Sequence, residues 1–264
     1  MERTLKNTVS VVVVTYNSSA LIGECLKSLS SCQEIKEIIV IDNASPDQAV
    51  SWVVITDNFS GVKFVANQKN IGYGAAVNQG ARIAKGEHLF FMNPDVIVPH
   101  GTIEKLVAFM ESHPDCGACS PYIQTPTKPW WYSWIVLRMP VAFARSSKKS
   151  PYKVKFLLAC ATLVKRDFFL QLGGFDERFF LYYEDRDLGY RIREKGKFNY
   201  VVPSSSVIHF YGKSSATIPI EEKGKILTES RWYFAKKHNL RGLKLWSKIY
   251  SPIQKSLCWL VSWL

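Results

Sequence analysis

Between Val9 and Ser112 short apolar runs alternate with stretches of helical periodicity, and the apolar runs end in polar clusters. Val9–Val14 is β-branched apart from Ser10, which reads as a strand buried on both faces of a parallel sheet. Leu21, Ile22, Cys25, Leu26 and Leu29 then recur at helical spacing, with Ser18 or Ser19 as the expected N-cap of a helix reaching about Ser31. Further strands are expected over Glu37–Ile41, Val62–Val65 and His88–Met92, and helices over Gly74–Ala84 and Thr102–Ser112. Such alternation predicts an α/β three-layer sandwich with a mostly parallel central sheet.

The strand ends carry Thr15-Tyr16-Asn17, Asp42-Asn43 and Asn93-Pro94-Asp95. Ligands of open α/β sheets bind outside the carboxyl ends of the strands, so three polar ends in a row predict one shared site. The pattern breaks at 121–155, a Pro-, Trp- and Lys/Arg-rich stretch read as an insertion or mobile loop. Beyond it the expected elements are a strand over Phe156–Val164, a helix over Asp167–Leu172, a helix over Glu184–Lys195, short strands over Phe198–Val202 and Ser206–His209, and a helix over Ile220–His238.

The net charge of +12 is concentrated. Nine Lys/Arg and no acid lie between Cys116 and Arg166, and seven more with no acid follow Ser230. The remaining 18 basic residues are outnumbered by 22 acidic ones, so two segments carry the basicity and point to an anionic surface. The six cysteines form no disulfide framework, and Cys116–Cys119 lacks the second pair of a zinc site, which suits a reduced, cytoplasmic protein. The Val9–Val14 run is too short for a signal-peptide core, and no run reaches the ~18 apolar residues of a spanning helix.

Chemistry concentrates at Gly173-Gly174-Phe175-Asp176-Glu177 and Glu184-Asp185-Arg186-Asp187-Leu188. Three carboxylates within four residues repel one another unless a cation or a transferable proton is near. Asp185 reads either as a helix cap or as a general base aimed into a cleft. Asp187 and Arg191, at i,i+4, read as an ion pair on one helix face. Asp95 is either a turn residue or a carboxylate reaching a divalent cation that grips a phosphate. His209 ends an apolar strand and is either structural or a metal ligand. Gly72-Tyr73-Gly74 imitates a dinucleotide fingerprint, but it lies outside the first β-turn-α unit and Val77 replaces the third small residue, which argues against NAD.

Taken in order, Val12–Asn17, Val40–Ser45, Asn70–Gly74, Asn93–Asp95, Gly173–Glu177 and Glu184–Leu188 resemble the family-2 inverting glycosyltransferases of the GT-A fold, over roughly residues 8 to 210. The Asn-Pro-Asp and Glu-Asp-x-Asp-Leu variants are similar to its rhamnosyltransferase-type branch. The resemblance implies a nucleoside-diphosphate-sugar donor, dTDP-rhamnose or a UDP-sugar, and a Mg²⁺ or Mn²⁺ ion held by Asp95 and His209. It implies that Thr15, Tyr16, Asn17, Asp42, Asn70, Gly72 and Asn93 line the donor nucleotide pocket, with Tyr16 stacked on the base. Asp185 would be the catalytic base, with Glu184 and Arg191 toward the sugar or acceptor. Two departures stand out: Asn93 replaces the first acid of the family's Asp-x-Asp, and Ala159 replaces a Gly, implying a narrower acceptor subsite. A nucleotidyltransferase would be expected to carry a phosphate-gripping loop after the first strand, which Thr15-Tyr16-Asn17-Ser18 is not. A non-catalytic saccharide- or membrane-binding relative would not need Asp95, Asp185 and His209.

Residues 1–240 are read as the GT-A domain and 241–264 as amphipathic helices. In the latter, Arg241, Lys244, Lys248 and Lys255 fall on one face, while Leu243, Trp246, Ile249, Ile253 and Leu257 fall on another. This suits a helix lying in an anionic membrane interface, or a contact forming a homo-oligomer. The expected place is therefore the cytoplasmic membrane face, with a lipid-linked saccharide as acceptor and no nucleic acid as partner.

Overall fold

The computed structural model describes residues 8–48, 50–52, 55, 59, 61–125, 149–210 and 218–240. A single large sheet organises them in the order β3-β2-β1-β4-β8-β6-β9-β5. Its first half is β1 (Val9–Thr15), β2 (Ile35–Asp42), β3 (Val62–Ala66) and β4 (His88–Met92), paired in parallel. Helices α1 (Ser19–Leu29) and α2 (Tyr73–Ile83) make the crossovers, as the alternating periodicities predict.

The second half is mixed. β8 (Ala161–Lys165) runs antiparallel to β4 and to β6 (Cys116–Gln124). β6 is parallel to β9 (Phe198–His209), while the short β5 (Val96–Ile97) and β7 (Tyr152–Val154) lie antiparallel along β9. Helices α3 (Thr102–Ser112), α4 (Arg166–Gln171), α5 (Glu184–Glu194) and α6 (Ile220–Lys237) complete the described elements.

Four details differ from expectation. β6 carries no apolar alternation, yet Ala118, Cys119 and Ser120 are buried between neighbours that impose the extended backbone. The strand expected over 156–164 is confined to β8. Its upstream partner, β7, pairs with β9 instead, so residues 155–160 cross from one strand line to the other. The two short strands expected near 198–209 are one strand with a register shift opposite Pro121/Tyr122, close to Pro203, which has no N–H to give. Ser18 stands at the N-cap of α1, but its Oγ donates to the Tyr16 carbonyl; Asp47 Oδ2 accepts from the Ser19 amide at 2.9 Å. The ends of the 121–155 stretch are strand, 126–148 lies outside the described residues, and so does 241–264.

Both faces of the sheet are buried. One core gathers Val11, Val13, Leu26, Phe90 and Leu106; the other gathers Val12, Ile39, Phe91, Phe169 and Phe175. Phe91, Phe169 and Phe175 form a triangle with ring centroids 5.3–5.5 Å apart. That contact bolts the 173–177 loop to β4, and burying each ring contributes about 1.5–3 kcal/mol. No helix among the described residues is long and apolar enough to cross a membrane.

Candidate active site

The parallel register brings the polar strand ends to one edge. Thr15 and Asp42 are partners in the β1–β2 ladder, and the Asp42 carboxylate, fully buried, accepts from the Ser45 amide and hydroxyl and from Gln48 at 2.6–2.9 Å. Thr15 Oγ1 lies 3.4 Å from the same carboxylate. Asn17, at a φ of 51°, donates its amide to Ser45 Oγ. Tyr16 between them is half-buried at the strand end.

Asn43, expected at a polar strand end but given no role there, is the hub of this edge. Its amide nitrogen reaches Asn70 Oδ1 at 2.8 Å and the Gly72 carbonyl at 3.2 Å, and its oxygen accepts from Asn67 and the Ile71 amide. Gly72 has a φ of 87°, and a Cβ there would stand 2.5 Å from the Phe180 carbonyl. That carbonyl accepts from the Tyr73 amide at 3.0 Å, so the 70–73 turn and the 178–183 loop touch through main chain.

A similar hub fixes the Gly-Gly turn. Asn78 on α2 accepts from the Phe175 amide and donates to the Phe175 carbonyl and Glu177. Gly174, at a φ of 70°, has room for nothing larger, since a Cβ would meet Asn78 Oδ1 at 2.3 Å. The turn delivers the chain to Tyr182 and Tyr183, both at positive φ, and then to α5.

α5 carries the acids, and the structure divides them. Asp187 is fully buried: its carboxylate accepts from Arg191 Nε at 2.7 Å, Lys237 Nζ at 2.6 Å and His238 Nε2 at 2.8 Å. Arg191 spends its other nitrogens on the Leu172 and Gly174 carbonyls. The pair therefore holds the turn and α6 against α5, and the Arg191 guanidinium expected to face the sugar or acceptor is engaged within the fold.

Asp185 is half-buried and accepts from the Arg186 amide at 2.7 Å and from the Ala159 amide. Burial raises its carboxyl to about 6, against the opposing pull of Arg186 and those amides. Glu184 is 6% exposed, and its Oε2 has no hydrogen-bond partner among the described residues. Burial and then the Asp185 charge push its carboxyl to about 8. Tyr73 Oη donates to the Ala159 carbonyl at 2.7 Å; burial, then the fields of Glu184, Cys160, Asp185 and Asp95, keep it protonated. These four groups therefore share one neighbourhood.

Asp95 follows β4, and the β5–β9 pairing sets Val96 opposite His209. The Phe210 amide closes onto the Asp95 carbonyl at 3.0 Å, and His209 Nε2 lies 3.2 Å from Asp95 Oδ1. Burial alone would lower the imidazole, but Cys160 and Asp95 outweigh it and raise it to about 10. A buried carboxylate and an imidazole suit a hard divalent cation that completes its shell with phosphate oxygens. No group of three potential ligands occurs among the described residues. The Asn93 backbone bridges Cys25 and Cys160 beside this pair.

The model of the "Glycosyl transferase family 2" family matches residues 10–173. An N-acetylglucosaminyl-diphospho-decaprenol L-rhamnosyltransferase of Mycobacterium tuberculosis is 30% identical over 246 residues, 79% of this chain and 78% of that protein. The rhamnosyltransferase WbbL of Escherichia coli is 24% identical over 76% of this chain and 83% of its own length. Among solved structures, a mannosyltransferase from Pyrobaculum calidifontis in complex with GDP-Man and Mn²⁺ superposes with a TM-score of 0.65, at 22% identity, over 92% of this chain and 69% of that one. With the family's motifs gathered at one sheet edge and its model matched over more than half the sequence, the chain belongs to glycosyl transferase family 2.

Proposed function

We propose that the protein is an inverting glycosyltransferase that moves L-rhamnose from a nucleoside-diphosphate sugar to a hydroxyl of a lipid-linked saccharide, in cell-surface polysaccharide synthesis. The observation that carries this reading is the half-buried Asp185, raised toward neutrality and clustered with Glu184, Tyr73 and Asp95. Asp185 takes the proton of the acceptor hydroxyl as that oxygen attacks the anomeric carbon. The bond from that carbon to the diphosphate oxygen breaks on the opposite face, so configuration inverts. The protonated Glu184 donates a hydrogen bond to the sugar or acceptor. Tyr16 stacks on the donor base, with Thr15, Asn17, Asp42, Asn70, Gly72 and Asn93 around the nucleotide. Asp95, with His209 once a cation has displaced the imidazole proton, would hold Mg²⁺ or Mn²⁺, which would supply positive charge to the departing diphosphate.

The relatives' names support the donor sugar and a diphospholipid acceptor. The acid-free, basic 241–264 segment supports attachment to the anionic cytoplasmic face of a membrane. The test is transfer from dTDP-rhamnose to N-acetylglucosaminyl-diphospho-polyprenol, with the product anomer read by NMR. An inverted rhamnoside is expected; a retained configuration, or transfer from UDP-sugars alone, overturns the assignment.

A further inference from the structure

Arg186 follows the proposed base directly, yet its guanidinium has no carboxylate within ion-pair distance among the described residues. It lies instead over two aromatic rings, 4.4 Å from the Tyr183 centroid and 4.8 Å from that of Phe156. Arg231, on α6, reaches the same tyrosine from its other end, with Nε donating to Tyr183 Oη at 3.1 Å. Two guanidiniums thus converge on one ring. Burial depresses the Arg186 guanidinium; the fields of Tyr183 and Asp185 oppose this, and the nearby Arg231 charge adds to it.

Two cations held together beside the proposed base, with Asp185 the one carboxylate among the described residues whose field is felt at Arg186, make a site for an anion brought from outside. Planar guanidiniums grip phosphate oxygens in pairs, and aromatic stacking fixes their planes before the ligand arrives. Phe156 also lines a cavity of about 280 Å³ whose wall is mostly apolar (Pro121, Ile123, Leu157, Leu158) and includes Lys153 and Lys155. Through Phe156 this cavity adjoins the pair, and an apolar wall with lysines in it suits the lipid end of an anionic acceptor and not a sugar nucleotide.

We propose that Arg186 and Arg231 bind the diphosphate of the lipid-linked acceptor, with the first isoprenoid units in the cavity beyond Phe156. This deepens the proposed function and names the acceptor's anchoring group. Tyr183 positions both guanidiniums, and the sugar next to the diphosphate then presents its hydroxyl to Asp185.

The direct experiment is calorimetric titration of inorganic pyrophosphate into the full chain saturated with dTDP and Mg²⁺, so that the donor position is filled. Pyrophosphate should still bind, and Arg186→Gln and Arg231→Gln should each weaken it at least about tenfold. Loss of all pyrophosphate binding once dTDP is present, or equal affinity in the variants, overturns the proposal whether or not the sugar moved proves to be rhamnose. In transfer assays the two variants should raise KM for the diphospholipid acceptor and leave donor KM in place. A rise in donor KM alone would reassign the pair to the donor diphosphate. Arg186→Lys keeps the charge but loses the stacked plane, and should recover only part of the affinity.

Discussion

Glu184 makes the site's cost in stability measurable. Its carboxyl is nearly enclosed, its Oε2 is unsatisfied among the described residues, and it rises from an ordinary 4.5 to about 8. A carboxyl raised by folding favours the native state while it is protonated. That stability is intact below pH 4.5 and drains away as pH climbs through 8. At pH 7 the accumulated loss is about 3 kcal/mol, from roughly 1.4 kcal/mol per pKa unit over the interval already crossed. Glu184→Gln keeps the shape, cannot ionise, and offers Asp185 an amide donor. For a domain of this size about 3 kcal/mol corresponds to roughly 5–10 °C in melting temperature. Differential scanning fluorimetry of both proteins from pH 4.5 to 9 should show coincident melting at the acid end. The variant should gain steadily to about pH 8, and the gap should then level off. Transfer activity should fall in the same variant, since stability is regained by removing a functional group. A gap that stays constant across the whole range, or a variant less stable throughout, would refute the burial argument.

Asp185→Asn should lower the transfer rate by about 10²–10⁴-fold, and the wild-type rate should decline as pH drops through about 6, where the base protonates; an unchanged pH–rate profile counts against it. Asp187→Ala should cost about 3 kcal/mol in urea unfolding, the lower end of the range for breaking a buried pair, because Lys237 retains Asp176 at 2.8 Å; a cost below about 1 kcal/mol would mean the cluster holds nothing. Gly72→Ala should destabilise by about 1–3 kcal/mol through its positive φ and its clash with the Phe180 carbonyl, and should raise donor KM in steady-state assays.

The parallel half of the fold is legible because β1 and β4 are near-continuous apolar runs and α2 and α3 keep strict helical spacing. β6 is not: Cys-Gly-Ala-Cys-Ser-Pro has no strand signature, and its conformation is imposed by β8 and β9 on either side. The cap of α1 is hidden for a related reason, since Asp47 lies 28 residues beyond the amide it accepts. At the site, Asp187–Arg191 is visible as an i,i+4 pair, but its cationic partners Lys237 and His238 come from a helix some fifty residues later. Asn43 is visible as a polar strand end, but its role as a hub and the whole of Asn78 stay hidden, because a turn asparagine and a helical asparagine look ordinary until their partners fold against them. Arg186 carries no sequence signal of its own, and only the rings of Phe156 and Tyr183 reveal how it is held.

The main-chain contact between the 70–73 turn and Phe180 bears on how such enzymes can be re-engineered. Donor preference invites grafting, with the strand-end loops of the first sheet half exchanged for those of a relative. Here the turn proposed to hold the nucleotide is welded to the loop that leads to the proposed base, through Gly72 and the Tyr73 amide. A graft that replaces 70–74 alone inherits a mismatched seam and displaces Asp185 by way of 178–183. The two segments form a single module of exchange, and chimeras that move them together should retain turnover where piecemeal swaps lose it.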